Sequence, residues 1–100
     1  MKILALEQER PGLSANDFQP YLKAEAAAAW ALYQSGVIRE LYFRADQHTA
    51  VLVLECKSIE EARQNLAGLP LVQASLIDFE IIPLAPYPGF ARLFQPDDSN

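Results

Sequence analysis

The run Ala50-Val51-Leu52-Val53-Leu54 carries an apolar side chain at every position. Successive strand residues point to opposite faces, so a strand built from this run turns an apolar surface to both sides of its sheet. A strand of that kind needs cover on both faces. Its partner comes just before it. Residues 37–44 and 49–56 are rich in β-branched, aromatic and aliphatic side chains, and the polar link Ala45-Asp46-Gln47-His48 joins them as a hairpin. The earlier strand repeats the pattern, with Leu41 and Phe43 expected opposite Ile38 and Tyr42. An antiparallel sheet with two apolar faces follows, and helices can cover only one of them.

The helices and remaining strands are legible in turn. Ile3-Leu4-Ala5-Leu6 begins a strand that Pro11-Gly12 ends. Asp17 or Ser14 caps a helix running to about Ser35, with Pro20 tolerated in its first turn and Gly36 suited to the left-handed position past its end. Tyr21, Leu22, Ala28, Ala29 and Leu32 recur at three- and four-residue spacing and give that helix one apolar face. Ser58-Ile59-Glu60-Glu61 has capping-box spacing ahead of a second helix over 59–67, which Gly68 and Pro70 stop. A last strand over 75–84 ends among prolines. The order β-α-β-β-α-β is the split βαβ of ferredoxin-like α+β domains. The uncovered face of the antiparallel sheet would be a large exposed apolar patch, which marks an interaction surface. We therefore expect a homodimer or larger homo-oligomer packed sheet to sheet. Residues 1–86 form the domain, and the apolar tail 87–100 packs on a partner subunit.

Composition narrows the classes of function. In 100 residues with a net charge of -5, no Lys or Arg cluster offers a nucleic-acid footprint. No apolar run reaches the ~20 residues of a membrane span, and no secretory signal precedes Glu7, Glu9 and Arg10. A single cysteine makes no internal disulfide and suits a reducing cytoplasm. One His and one Cys do not make a structural zinc site. No nucleic acid, membrane or metal is expected, and no phosphate-cradling glycine loop or nucleophile elbow is present.

From Gly36 to Phe94 the chain resembles the muconolactone isomerase family. The residues that carry the resemblance are Gly36 with Arg39 and Leu41, then Gly68-Leu69-Pro70-Leu71, then Phe79-Glu80-Ile81-Ile82-Pro83-Leu84 with Pro88. The resemblance implies small dimeric α+β barrels whose enzymes move a proton on an unsaturated lactone without metal or organic cofactor, in a pocket shared between subunits. It places Glu25 at a family glutamate of the first helix and Arg39 at a family arginine. Where the family has an arginine before that glutamate this chain has Ala24, and where it has a histidine before the tail proline this chain has Tyr87.

Glu25 also stands out on its own, as a carboxylate on an apolar helix stripe, where lost hydration raises a pKa toward the range of a working base. It is the expected catalytic residue; otherwise it is a stripe-edge glutamate reaching water or a cation. Arg39 would hold a substrate carboxylate, or else pair with Asp78 or Glu80. Tyr21, Tyr42 and Trp30 would line the pocket, or pack with their polar atoms at the surface. Tyr87 and Arg92 on the tail would line a partner's pocket, or simply clamp the dimer. His48 in the hairpin link is expected to be a solvated turn residue, and Cys56 an inert apolar one. The expected ligand is a small organic acid or lactone and the expected cofactor is none. Two functions stay open: a cofactor-free isomerase, favoured by Glu25 and Arg39, and a non-catalytic dimeric binding or structural module, favoured by Ala24 and Tyr87. A cofactor-independent oxygenase is neither supported nor excluded.

Overall fold

A computed structural model describes residues 1–96. Four strands, β1 (Lys2–Glu9), β2 (Ile38–Phe43), β3 (Ala50–Glu55) and β4 (Ile77–Pro83), form one sheet in the order β2-β3-β1-β4 with every neighbouring pair antiparallel. The helical segments are α1 (Ala15–Phe18), a 3-10 turn (Gln19–Tyr21), α2 (Leu22–Gln34), α3 (Ile59–Ala67) and α4 (Pro70–Gln73), and a second 3-10 turn (Gly89–Leu93) lies in the tail. The ferredoxin-like α+β class is borne out.

The core lies between the sheet and the helices. Ile3, Ala5, Leu52 and Leu54 are buried on the helical face, with Ala62 and Leu66 of α3 against them. Ala28, Ala29 and Leu32 of α2 pack on the rim of this core. Register sets the outer face: Leu4 lies opposite Val53 and Ile82, and Leu6 opposite Val51. The second apolar face therefore exists.

β2 departs from the expected alternation. Its register shifts between Ile38 and Glu40, so Ile38, paired with Leu54, joins Leu41 and Phe43 on the helical face. A bulge adds one residue and reverses every orientation beyond it. Arg39 occupies the irregularity and does not share a regular strand face with Leu41 and Phe43.

The first helix is also broken. Pro20 has no N–H to donate, and the backbone tightens into the 3-10 turn between α1 and α2. Ser14 is the cap residue: the Asp17 carboxylate accepts its N–H at 2.7 Å. Past α2, Gly36 takes φ +87, the left-handed conformation expected of it. The α3 bounds agree with the sequence, because Ser58 Oγ accepts the Glu61 N–H at 3.1 Å and Glu61 accepts the Lys57 N–H at 2.8 Å. Pro70, expected only to stop α3, opens α4 as its first residue, where no N–H is needed.

Candidate active-site cleft

α2 meets the core with only its second half. At its start Leu22 is 44% exposed, and the helix stands off the sheet. The gap is a cleft of about 940 Å3. Phe18 and Leu22 line it from the helical side, Leu71 comes from α4, and Phe43, His48 and Glu7 from the sheet and the β2–β3 link.

Glu25 lies three residues beyond Leu22 and next to Leu71, both of which line the cleft, without being a lining residue itself. Its Oε1 accepts the backbone N–H of Leu71 at 2.9 Å, tying α2 to the first turn of α4, where N–H groups have no helical partner. The carboxylate is half-buried. Burial raises its pKa, and the Leu71 bond pulls the other way. The site thus holds a carboxylate shifted toward proton-moving service and also employed in holding two helices together.

Glu7 was missed in the sequence. It follows Ile3 and Ala5 on the inward face of β1, and strict alternation could have found it: a carboxylate where the next core residue belongs. Its Oε1 accepts the Ala50 N–H at 3.0 Å. Burial raises the Glu7 pKa, the Ala50 bond opposes this, the charges of Glu9 and Glu25 raise it further, and His48 lowers it. His48 is exposed, as expected of a link residue, yet its ring stacks on Phe43 with centroids 4.2 Å apart and forms part of the cleft wall. Arg44 also reaches the cleft but is engaged by Asp46, with bonds of 2.8 and 2.6 Å.

The other anticipated residues lie apart from this cleft within one chain. Arg39 is at the opposite end of the sheet, where its Nε donates to the Gly36 carbonyl at 2.7 Å; neither Asp78, which meets Arg10 at 3.3 Å, nor Glu80 is its partner. Tyr42 is on the outer face, its hydroxyl donating to Glu40 at 2.7 Å. Tyr21 ends the first 3-10 turn with its ring exposed, and Trp30 stacks on Tyr33 at 5.6 Å on the solvent side of α2. Tyr87 packs edge-on against Phe90 at 5.1 Å, and Arg92 follows in the same tail turn. Cys56 is buried, and burial pushes its thiol pKa up, which suits an unreactive side chain.

A four-stranded antiparallel sheet with helices on one face and a cleft between them defines the ferredoxin-like class of small α+β domains. A sequence model of the family described as Muconolactone delta-isomerase matches residues 5–89, and the chain belongs to that family. The fold is similar to a crystal structure of muconolactone isomerase, with a TM-score of 0.72 and 22% identity over 88% of this chain and 92% of that one. It is also similar to 5-chloro-2-hydroxyhydroquinone dehydrochlorinase from Burkholderia phenoliruptrix in complex with 2,5-dihydroxybenzoquinone, with a TM-score of 0.67 and 19% identity over 85% and 94%. No curated protein matches the chain.

Proposed function

We propose that this protein is a cofactor-free enzyme of the isomerase type, moving a proton on a small unsaturated ring compound held in the cleft between α2 and the sheet. The observation that carries this reading is Glu25, a half-buried carboxylate of raised pKa that accepts the backbone N–H of Leu71 in the cleft wall. Its ionised form removes a proton from the ring carbon at the far end of the conjugated system from the carbonyl. The electron pair enters the conjugated system, the double bond shifts, and the protonated Glu25 returns the proton at the carbon beside the carbonyl. The two similar structures described above carry names of enzymes, an isomerase and a dehydrochlorinase, which fits such proton chemistry.

The enzyme would work as a cytoplasmic homodimer or larger homo-oligomer closed through the outer sheet face. In that assembly Tyr87 and Arg92 would reach the partner's cleft, and Arg39, Tyr42 and Trp30 would serve only through such contacts. Among the described residues no helix is long and apolar enough to cross a membrane. The reading is tested by incubating the protein in deuterated water with unsaturated lactones, uncharged ones as well as the carboxylated muconolactone. Deuterium incorporation by the wild type that falls at least a hundredfold in Glu25→Gln supports it, and equal incorporation by both overturns it.

One observation favours the rival, a non-catalytic binding module. The Glu25–Leu71 bond gives the carboxylate a structural task that needs no chemistry. A wild type that binds a ring compound in the cleft but exchanges no deuterium would decide for the module.

A further inference from the structure

The charge around the cleft is one-sided. Glu7 lies on its floor, with Glu9 further along the same strand face and Glu25 bonded to Leu71 of the wall, and both add to the field at Glu7. Glu80 of β4 reaches only the rim, because it pairs with Leu6 on the outer face of the sheet. Among the described residues the one guanidinium that reaches the cleft, Arg44, is neutralised by both oxygens of Asp46. Arg39 sits at the other end of the sheet, bonded to Gly36. His48, whose ring lies flat on Phe43, is the remaining group able to become cationic there. A carboxylate ligand would enter a half-desolvated space facing several carboxylates and no free guanidinium, and like charges in such surroundings repel strongly.

The walls ask for something else. Phe18, Leu22, Phe43 and Leu71 give a ring-sized ligand apolar surface. One oxygen of Glu7 accepts the Ala50 N–H, and a carboxylate has acceptor capacity beyond one bond. An ionised carboxylate is a strong acceptor for a hydroxyl and offers nothing to another anion. We propose that the cleft selects an uncharged, hydroxylated ring, and that Glu7 is the residue that sets this preference, by accepting a hydrogen bond from a ring hydroxyl and repelling carboxylated analogues. This rests on the reading that the cleft is the ligand site, and it replaces the small organic acid expected from the sequence with a neutral, hydroxylated unsaturated ring, for which a benzenediol serves as the binding probe.

The test uses the full-length protein, uniformly labelled with 15N, titrated with benzene-1,4-diol and separately with 4-hydroxybenzoate, the same ring with one hydroxyl replaced by a carboxylate. Amide shifts at Phe43, His48, Ala50 and Leu71 report the cleft. The expected result is that the diol binds there at least tenfold more tightly than the benzoate at pH 7. Glu7→Gln should weaken the diol about tenfold, the usual scale for losing a charged acceptor, and narrow the gap between the ligands. Glu7→Lys should reverse the order. The amide of Gln keeps an oxygen for the Ala50 N–H, so the dispersion of the Glu7→Gln spectrum separates lost binding from lost fold. In the wild type, diol binding should also weaken as pH falls and Glu7 takes up a proton, with Glu9, Glu25 and Glu80 the other acids in view and His48 the base. If the benzoate binds the cleft as well as the diol does, or Glu7→Gln leaves the preference unchanged, the proposal falls while the cleft stands. If both ligands shift residues elsewhere and none of the four reporters, the cleft reading falls with it.

Discussion

Glu25 and Glu7 are both half-buried carboxylates that accept a backbone N–H from a distant element, and their separate fates under substitution distinguish structure from chemistry. Glu25→Gln keeps an oxygen for Leu71, so its stability should stay within ~0.5 kcal/mol of wild type. Glu25→Ala leaves the Leu71 N–H of α4 without its partner and should cost about 1 kcal/mol in urea unfolding. Equal losses from both variants would mean that the bond contributes nothing. Burial holds both acids above their usual value of 4.5, so the folded state binds their protons more tightly than the unfolded chain does. Their ionisation therefore costs stability at neutral pH, and that cost is relieved as pH falls through the raised folded values toward 4.5. Asp46 and Glu55 are held low by Arg44 and the N-terminal amine, and their contribution is lost only as pH falls further. Thermal melts should find Glu7→Gln more stable than wild type at pH 7, by under ~1 kcal/mol for a half-exposed group, with the gap closing near pH 4. A gap that widens toward acid pH would contradict the assignment.

At the scale of elements, the chain was legible wherever one residue's own backbone preference decides the outcome. Gly36 and the Ser58 cap stand where the sequence placed them, because a left-handed residue and an orphan N–H are local requirements. A Cβ added at Gly36 meets only the Arg39 side chain, at 3.8 Å, so Gly36→Ala should cost about 1–2 kcal/mol through backbone strain alone. Ser75, between α4 and β4, takes φ +62 without being glycine, and Ser75→Gly should raise the stability measured in urea by up to ~1 kcal/mol. The register shift in β2 was not legible. Residues 37–44 alternate plausibly in either register, and only pairing with β3 shows that Arg39 absorbs the extra residue. α4 was hidden for a similar reason. Its four residues are too few for a periodic signal, and Glu25 supplies the acceptor from 46 residues away.

At the scale of the whole molecule, the Cα radius of gyration is 17.6 Å and the long axis 65 Å, against a radius of about 13 Å for a compact chain of this length. Phe90, Leu93 and Phe94 are 67%, 75% and 84% exposed. An apolar tail held in solvent and an apolar outer sheet face are the two halves of the assembly proposed above. Val53→Glu, placed at the centre of that face opposite Leu4 and Glu40, should convert the oligomer to monomer in analytical ultracentrifugation. Truncation after residue 86 should weaken it, while the described domain core keeps its strand and helix content. The last residues of the tail, 97–100, lie outside the described residues. A wild-type monomer would remove the role given to the tail and to Tyr87 and Arg92 together. The sequence by itself determined the order of the four strands and two main helices, the two apolar faces of the sheet, the Ser58 cap and the family, because each depends on local periodicity, local backbone geometry or a string of neighbouring residues. Only the tertiary structure decided which charges share a cleft. Glu7 and His48 are far apart in the chain, and strand pairing together with the standing-off of α2 brings them to one space, with Glu25 behind its Leu71 wall, while leaving Arg39 at the other end of the sheet.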